Sequence, residues 1–357
     1  MPRVLHVAQS ADYGLARFLF DLVGDQVERG WTVGFAGPAD APLPEGADRI
    51  AWAASREPHR DVPAESRRLA GIVEAFQPDV VHLHSSKAGL VGRLVLRGRR
   101  PTIFQPHAWS FLAVGGATRA AAVMWERAAI RWTEVVVCCS QAEYRQGEEH
   151  GIRGRYRVVP NAVDLQRFAV VDRREARERL GLGEGPLVAC IGRLSHQKGQ
   201  DVLLDAWPAV RAAVSTARLV LVGDGPDREA LAARAGEGVE LVGRQPSVEH
   251  WLAAADVVAQ PSRYEGLAIT VLEAMAAGRS IVATDVEGMA EAIGGGGAIV
   301  RPGDVGALGE ALVHRLRDPD LAAAEGRAGR ERAAHSHDLR TWGDRMAELT
   351  LGLVRTP

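Results

Sequence analysis

Short apolar runs alternate with helix-length amphipathic stretches along the whole chain. Six runs in the first half have the length and apolar character of buried strands: residues 4–8, 32–36, 80–83, 102–105, 135–138 and 157–159. Six more follow in the second half: 187–191, 217–222, 239–242, 257–259, 280–283 and 298–300. Helices are predicted between the strands, among them 16–29, 65–75, 119–132 and 267–277. This alternation predicts parallel sheets built from βα units.

The strands fall into two series, which predict an α/β protein with two Rossmann-like, doubly wound parallel-sheet domains. The N-terminal domain is expected over residues 1–164, because the last strand of the first series ends just before that boundary and a charged helix follows it. The second domain is expected over 165–340. Within 341–357, apolar residues from Trp342 to Leu353 recur at helical spacing, and the sequence leaves open whether this helix packs back on the N-terminal domain.

Composition narrows the class of protein. The 357 residues are too many for one ordinary core, and the 46% hydrophobic and 25% charged residues are typical of a folded globular protein. The net charge of −2 gives no general attraction to nucleic acid, so no nucleic-acid partner is expected. No apolar run is long enough to span a membrane, and residues 1–7 resemble a buried strand and not a signal peptide. A cytoplasmic location is expected.

Cysteine and lysine are both rare in this sequence. Cys138, Cys139 and Cys190 lie in strand-like runs without the spacing of metal ligands, so reduced core thiols are expected and no metal site is predicted. Of 43 basic residues only two are lysine, Lys87 and Lys198, and both are expected in loops. Lysine is therefore an uncommon choice here, although two cases can also arise by chance.

The loops after the strands of the second half contain the candidate chemistry, because ligands bind beyond the carboxyl ends of parallel strands. Arg193 and Lys198 bracket a loop that leads into a helix beginning near Gln200, and Gly192 and Gly199 permit close backbone approach. A guanidinium, an ammonium and the amides of a helix start match a diphosphate. A surface loop with solvated charges is the alternative interpretation.

Two carboxylates follow the strand at 257–259: Glu265 in the loop and Glu273 on the next helix. If the whole segment were helical, they would lie roughly 12 Å apart, farther than the pair of a glycoside hydrolase. That distance suits a sugar at Glu265 and a ribose at Glu273. The amides expected on the phosphates between them are those of Gly266, Leu267, Ala268 and Ile269. A solvated Glu273 is disfavoured because its neighbours are apolar.

Three motifs occur in order: Gly192-Arg193-Leu194 with Lys198-Gly199, then Val222-Gly223-Asp224-Gly225-Pro226, then the Glu-x7-Glu stretch from Glu265 to Gly278. Together they resemble the donor domain of the family 4 retaining glycosyltransferases. The likeness continues through 78–89, Pro106-His107 and 159–164, so it covers nearly the whole chain. The resemblance implies a GT-B fold, in which an N-terminal acceptor-binding domain and a C-terminal donor-binding domain face each other across a cleft.

The resemblance also implies roles for individual residues. Arg193 and Lys198 correspond to the pair that holds the donor diphosphate. Glu273 corresponds to the ribose ligand, and Glu265 to the residue near the hydroxyls of the transferred sugar. An acidic side chain also binds the ribose hydroxyls in many dinucleotide sites.

Five positions complete the implied site. His107 resembles the family's histidine near the transferred sugar, whereas chemistry alone leaves a structural and a catalytic role about even. Gly14 matches a glycine whose backbone approaches the phosphates, in a loop with one glycine where the common form has two. Gly243 and Arg244 are assigned to the nucleoside. Ala268 stands where many relatives have glycine or proline.

The implied activity is a retaining hexosyl transfer from a nucleotide-diphosphate sugar, with a UDP-sugar favoured over a GDP-sugar. The acceptor is a hydroxyl of a glycan, a lipid-linked sugar or a natural product. No carboxylate nucleophile is evident, so a front-face displacement is favoured, with Arg193 and Lys198 in place of a metal and no cofactor. A sugar-nucleotide epimerase and a non-catalytic sugar-nucleotide-binding protein remain alternatives. A nicotinamide oxidoreductase is disfavoured because the first strand lacks the following glycine triplet.

The first half also has basic residues interleaved with tryptophans, which could dock on the inner face of an anionic membrane and reach a lipid-linked acceptor. Solvated helix faces over core tryptophans are the favoured interpretation. The residues concerned are Arg93, Arg97, Arg99, Arg100, Arg119, Arg127, Arg131, Trp125 and Trp132.

Overall fold

The computed structural model describes residues 1–55, 61–168 and 171–354. The chain divides into two compact units, Met1–Asn161 with Arg340–Pro357, and Ala162–Leu339. Each unit is built around one parallel sheet flanked by helices. The predicted fold class of two parallel-sheet domains is therefore confirmed.

The sheet of the first unit has seven strands in the order β3-β2-β1-β4-β5-β6-β7, all parallel. The strands β1 to β7 are Arg3–Ala8, Thr32–Gly37, Asp48–Ala51, Val80–His84, Thr102–Gln105, Val135–Cys138 and Tyr156–Val158. The strand order reverses between β1 and β4, which is the topological switch point of this sheet.

The sheet of the second unit has six parallel strands in the order β10-β9-β8-β11-β12-β13. The strands β8 to β13 are Leu187–Ile191, Arg218–Val222, Val239–Gly243, Val257–Gln260, Ser280–Thr284 and Gly297–Val300. Its switch point lies between β8 and β11, so the loops after these two strands flank the place where ligands bind in such sheets.

Fourteen α-helices lie within the described residues. In the first half, α1 to α5 are Tyr13–Glu28, Val62–Phe76, Ser85–Leu96, Gly116–Ala129 and Gln141–Glu149. In the second half, α6 to α14 are Arg173–Arg179, Gln200–Ala213, Arg228–Arg234, Glu249–Ala254, Ile269–Ala276, Met289–Ile293, Val305–Arg317, Pro319–Ser336 and Leu339–Leu351. Among the described residues, no helix combines the length and apolar content that crossing a bilayer requires.

One strand of the first sheet, β3, was not predicted from the sequence. It lies at the sheet edge beside β2, and three of its four side chains are exposed. An edge strand in solvent needs no apolar run, so the hydrophobic pattern has no signal there. The following residue, Trp52, is fully buried, and its indole N–H donates to the carbonyl of Glu65 at 3.2 Å.

The three cysteines lie in the cores of their units. Cys138 is the last residue of β6, Cys139 follows it, and Cys190 lies in β8. All three are buried free thiols. Burial raises the pKa of the Cys190 thiol to about 12. Thiols of this kind pack as small apolar side chains and are poor nucleophiles.

Two cations that the sequence placed at the surface are buried in α3. Lys87 lies in this helix and not in a loop, and its Nζ is 2.9 Å from a carboxylate oxygen of Glu65 in α2. Arg93 is 0% exposed, lies 2.7 Å from a carboxylate oxygen of Glu126 in α4 and stacks on the Phe104 ring at 3.9 Å. The predicted loop position of Lys87 is wrong, and Arg93 does not belong to a basic surface, because each cation pairs with an acid on a neighbouring helix.

The last helix, α14, packs within the first unit. Its Trp342 meets Phe18 of α1 edge to face, with ring centroids 5.2 Å apart. Asp344 of α14 accepts a hydrogen bond from Arg29 at 2.6 Å. Trp342 of this segment therefore packs on α1, and residues 355–357 lie outside the described part of the chain.

The substitution Glu126→Ala should lower the free energy of unfolding of the first unit by about 3–5 kcal/mol, because it leaves the Arg93 guanidinium buried without a carboxylate. The control is Glu178→Ala, which breaks the exposed pair Arg174–Glu178 and should cost less than about 0.5 kcal/mol. Urea unfolding followed by circular dichroism measures both values. Similar losses in the two variants would contradict the assigned role of the buried pair.

Candidate functional site

Glycines hold the loops of the second sheet backbone against backbone. A Cβ atom at Gly199 would lie 2.0 Å from the carbonyl oxygen of Pro261, and one at Gly223 would lie 1.9 Å from that of Gly192. Gly199 and Gly223 also have φ values of +66° and +145°, which favour glycine. The loops after β8, β9 and β11 are therefore packed together at the carboxyl edge of the sheet.

Lys198 and Glu265 meet at this edge. Lys198 ends the 3-10 turn His196–Lys198, and its Nζ lies 2.5 Å from Oε1 of Glu265. The same carboxylate accepts hydrogen bonds from Ser262 Oγ at 2.8 Å and Gln260 Nε2 at 3.3 Å. The side chain of Glu265 is 7% exposed and that of Lys198 is 18% exposed, so the carboxylate is buried while the ammonium stays accessible.

Arg193 lies at the start of the same loop, and its side chain is partly exposed. Its carbonyl oxygen accepts a hydrogen bond from Gln200 Nε2 at 2.9 Å, which ties the loop to the first turn of α7. Asp201, the next residue, pairs with Arg263 at 2.7 Å, and this guanidinium lowers the pKa of the Asp201 carboxyl. Asp201 is thus bound to Arg263.

Helix α10 begins beside Glu265. Gly266, Leu267, Ala268 and Ile269 are buried and lead into the helix, which starts at Ile269. The N-cap residue Ala268 has no side-chain oxygen, so the first amides of α10 have no side-chain cap. Glu273, in the middle of this apolar helix, is 7% exposed.

The remaining positions predicted for the nucleoside lie at the end of β10. Gly243 is the last residue of that strand, has φ +74°, and its carbonyl oxygen accepts a hydrogen bond from the Gly223 amide at 2.9 Å. Arg244 follows it and is exposed. The structure thus joins Lys198 directly to Glu265 and places the other predicted donor residues of this unit on loops or a helix at the same sheet edge.

His107 lies in the first unit, directly after β5, in a strained loop. His107 and Ala108 have φ values of +55° and +104°, although neither is glycine. Such conformations cost about 1–3 kcal/mol each and occur often at functional sites. Glu143 holds the loop, because its Oε1 accepts from the Ala108 amide at 2.8 Å and its backbone carbonyl accepts from the Trp109 indole at 2.8 Å.

Sequence reasoning missed Glu143, although a signal was present. Ser140 and Glu143 have the spacing of a capping box at the start of α5, and Ser140 Oγ accepts from the Glu143 amide at 3.0 Å. The Glu143 carboxylate also binds the loops. Its second oxygen accepts from the Cys139 amide at 2.7 Å, so the loops after β5 and β6 share one buried anion.

Gly14 lies in the first turn of α1, where the sequence placed it in a loop. Tyr13, which begins this helix, has φ +50°, and Ser85, which begins α3, has φ +68°. Together with His107, these residues place left-handed, non-glycine backbone after β1, β4 and β5. Four of the six such residues described in the first unit thus lie at the carboxyl edge of its sheet, where ligands bind in this class of fold, and the other two, Gln77 and Arg97, are helix C-caps.

Three further histidines lie behind His107. His6 of β1 is paired in register with His82 of β4, His84 lies two residues farther along β4, and all three are 0% exposed. Burial lowers the pKa of His6 to about 4 and that of His107 to about 3. Burial, followed by the neighbouring histidines, lowers the pKa of His82 and His84 well below the ordinary value. All four imidazoles are therefore neutral at neutral pH.

The histidine cluster could not be read from the sequence, because it depends on the register between strands that are more than seventy residues apart. As residues of or beside a predicted strand, His82 and His84 are expected from the sequence only to lie in the core or at its rim, and both are buried.

The substitution Glu143→Gln should destabilise the first unit by about 2–3 kcal/mol, because an amide nitrogen would face one of two backbone amides that now share a carboxylate. The control is Glu149→Gln, an exposed position on the same helix, which should change stability by less than about 0.5 kcal/mol. Chemical denaturation of both variants checks this. An unchanged Glu143→Gln variant would exclude the anchoring role.

The first unit should lose stability as the pH falls from about 6.5 to about 4. Over this range unfolded histidines bind protons, whereas folded His6, with a pKa of about 4, does not. The free energy of unfolding therefore decreases with falling pH, and the contribution of His6 is complete only above pH 6.5. Urea midpoints at several pH values should show a shallower dependence for His6→Gln than for the wild type. Equal slopes would contradict the assignment.

Two family models match the chain. The model described as Glycosyltransferase Family 4 matches residues 13–167, and the model described as Glycosyl transferases group 1 matches residues 185–318. Over 213 residues the chain is 40% identical to the GDP-mannose-dependent alpha-(1-6)-phosphatidylinositol monomannoside mannosyltransferase of Mycolicibacterium smegmatis, covering 54% of this chain and 56% of that protein. The chain spans about half the length of the curated relatives that it matches in this way.

Solved structures agree in fold over nearly the whole chain. Sucrose-phosphate synthase of Thermosynechococcus elongatus matches with a TM-score of 0.87 at 21% identity, covering 99% of both chains. HepE of Anabaena, in complex with UDP-glucose, matches with a TM-score of 0.81 at 22% identity, covering 99% of this chain and 100% of that chain. With both sheets, the ordered motifs and both family models in agreement, the chain belongs to glycosyltransferase family 4 and has the GT-B fold.

Proposed function

We propose that the protein is a retaining glycosyltransferase that moves a hexosyl group from a nucleoside diphosphate sugar to an acceptor hydroxyl. The contact between Lys198 and Glu265 at the carboxyl edge of the second sheet carries this proposal. An ammonium has three N–H donors, so Lys198 can keep one on Glu265 and direct another to a phosphate oxygen. The buried carboxylate thereby holds the cation in place for an anionic ligand.

The donor would be bound along the rim of the second sheet. The partly exposed Arg193 guanidinium and Lys198 take the diphosphate, together with the uncapped amides at the start of α10. Glu273 of α10 takes the ribose hydroxyls, and Glu265 faces a hydroxyl of the sugar. Gly243 and Arg244 border the nucleoside.

The reaction would proceed as a front-face displacement. The bond between the anomeric carbon and the phosphate oxygen breaks, and the bond to the acceptor oxygen forms on the same face of the sugar. The acceptor proton passes to the departing diphosphate. Arg193, Lys198 and the helix amides stabilise the negative charge that develops there, which is the largest catalytic contribution in many enzymes.

GDP-mannose is the donor we would test first. The sequence alone favoured a UDP-sugar, and the HepE structure of the same fold contains UDP-glucose. The 40% identical mycobacterial relative, however, is a GDP-mannose-dependent enzyme, and sequence identity is the stronger guide to substrate than fold. That relative's acceptor is a phosphatidylinositol mannoside, so we propose a lipid-linked acceptor for this protein as well.

A lipid-linked acceptor implies a cytoplasmic protein that contacts the inner membrane face peripherally. Helix α4 supports this, since Met124 is 68% exposed and lies between the exposed Arg119 and Arg127. Arg97 and Arg131 are also exposed, and both approach the Trp132 ring. An exposed apolar side chain among arginines is typical of surfaces that meet anionic lipids.

The substitutions Lys198→Ala and Glu265→Gln should each lower kcat/KM with GDP-mannose by about 100-fold or more, because the first removes a cation at the diphosphate and the second removes the carboxylate that holds this cation in place. Circular dichroism should confirm that both variants are folded. The matched control is Arg234→Ala, which removes a cation from an exposed ion pair in the same unit and should retain wild-type turnover.

Thermal melting and analysis of the product test the proposal further. GDP and GDP-mannose should raise the melting temperature of the wild type but not of Lys198→Ala. Wild-type turnover in either site variant would remove that residue from the site. NMR of the product should show the anomeric configuration of the donor, and an inverted product would exclude a retaining mechanism.

A further inference from the structure

A row of four hydrogen-bonded side chains leads from the core of the first unit to His107. Gln26 Oε1 of α1 lies 2.8 Å from His6 Nε2, and His6 Nδ1 lies 3.0 Å from His84 Nε2. His84 Nδ1 then lies 3.2 Å from His107 Nε2. Gln26, His6 and His84 are 0% exposed, whereas His107 is partly exposed. We name these four residues the histidine row. Its end at Gln26 is fully buried, and its end at His107 is partly exposed.

The amide oxygen of Gln26 sets the direction of every bond in the row. A carbonyl oxygen only accepts, so His6 Nε2 must carry the hydrogen, and the other nitrogen of a neutral His6 is bare. His6 Nδ1 therefore accepts from His84 Nε2, which leaves His84 Nδ1 bare. By the same argument, His107 donates from Nε2 to His84 and keeps a bare Nδ1.

We propose that Gln26, His6 and His84 are positioning residues that fix His107 as the Nε2–H tautomer, so that it offers Nδ1 to the substrate as a hydrogen-bond acceptor. The group recognised would be a hydroxyl of a sugar, which can donate to this nitrogen. The proposal rests on the proposed function insofar as His107 acts in transfer. The tautomer itself follows from the row and from the orientation of the Gln26 amide, whose oxygen faces His6.

Neutrality of the row supports a single tautomer. Burial lowers the pKa of His6 to about 4 and that of His107 to about 3, so no extra proton enters the row near neutral pH. Phe18 packs against the His107 end of the row, with its ring T-shaped to His84 at 5.8 Å and to His107 at 4.7 Å between centroids. Helix α1 thus supplies both the amide that orients the row and the ring that packs against it.

The nearby His82 does not turn this cluster into a metal site. The ligand nitrogens of His6, His82 and His84 lie within 4.8 Å of one another, which is the composition of a three-histidine site. The rings of His82 and His84 are stacked, however, with centroids 4.0 Å and planes 28° apart, so their in-plane lone pairs do not converge. His82 instead makes its own branch, with Nε2 3.1 Å from Gln105 Oε1.

The branch provides a matched control. Gln26 and Gln105 are both buried, and each places its amide oxygen against one histidine Nε2. Only Gln26 belongs to the row. Gln26→Leu and Gln105→Leu therefore remove the same kind of hydrogen bond at the same burial, and only the first should affect His107.

The test uses long-range nitrogen–proton NMR spectra of protein labelled with ¹⁵N at histidine, in which protonated and bare ring nitrogens have distinct shifts. In the wild type and in Gln105→Leu, His107 should have hydrogen on Nε2 and none on Nδ1. In Gln26→Leu, both tautomers of His107 should appear. With GDP-mannose, kcat/KM of Gln26→Leu should fall about threefold, because only the molecules with a bare His107 Nδ1 can accept the sugar hydroxyl.

The variant Gln26→Glu should reverse the direction of the hydrogen bonds between the histidines of the row. A carboxylate beside His6 stabilises its imidazolium, whose Nδ1 then also carries a hydrogen and donates to His84 Nε2. His84 in turn donates to His107 Nε2, and His107 acquires a hydrogen on Nδ1. We expect kcat to fall about tenfold or more near neutral pH and to fall less as the pH is raised and His6 loses its proton.

Three results would overturn the proposal: a His107 Nδ1 that stays bare in Gln26→Glu, equal effects of Gln26→Leu and Gln105→Leu, or a stoichiometric metal ion bound by His6, His82 and His84 in the purified wild type. The spectra require no turnover. If no donor is transferred by the wild type, the proposed function fails, while the tautomer of His107 is still decided by the NMR data.

Discussion

The buried carboxylate of Glu265 organises the carboxyl edge of the second sheet. It receives Lys198 from the loop after β8, Ser262 from the loop after β11 and Gln260 from the end of β11. The backbone amide of Glu265 lies 3.4 Å from a carboxylate oxygen of Glu287, which follows β12. A carboxylate that is 7% exposed must keep such partners, because leaving it unpaired costs several kcal/mol. The position of Lys198, on which any phosphate site here depends, is therefore set by the burial of its partner.

Glu143 has the same function in the first unit. Its two carboxylate oxygens hold the amides of Ala108 and Cys139, and the strained pair His107 and Ala108 is fixed as a result. Two left-handed, non-glycine residues cost about 2–6 kcal/mol together. Two hydrogen bonds to a charged acceptor contribute about 3–6 kcal/mol, so the anchor offsets the strain. A single conformation of His107 is the consequence, and a rigid histidine is what a positioned hydrogen bond to a substrate requires.

The sequence predicted the parts of this molecule that local pattern determines. Strands buried on both faces read as continuous apolar runs, so twelve of the thirteen were found, whereas the exposed edge strand β3 had no such signal. Lys198 and Glu265 could be named because ligand-binding loops follow strands at a known edge. The partners of Lys87 and Arg93 could not, since each depends on the packing of two helices. The pairing of His6 with His82 likewise depends on strand register.

The electrostatics of His107 bear on how the proposed transfer handles its proton. Burial lowers the pKa of His107 to about 3, so this histidine is neutral near neutral pH and too weak a base to take a proton from an alcohol. Its contribution is then a hydrogen bond, and the proton of the acceptor must go elsewhere. In a front-face displacement the departing diphosphate takes that proton, while Arg193 and Lys198 balance its charge. A neutral His107 thus fits the proposed front-face transfer, in which the departing diphosphate and not this histidine takes the acceptor proton.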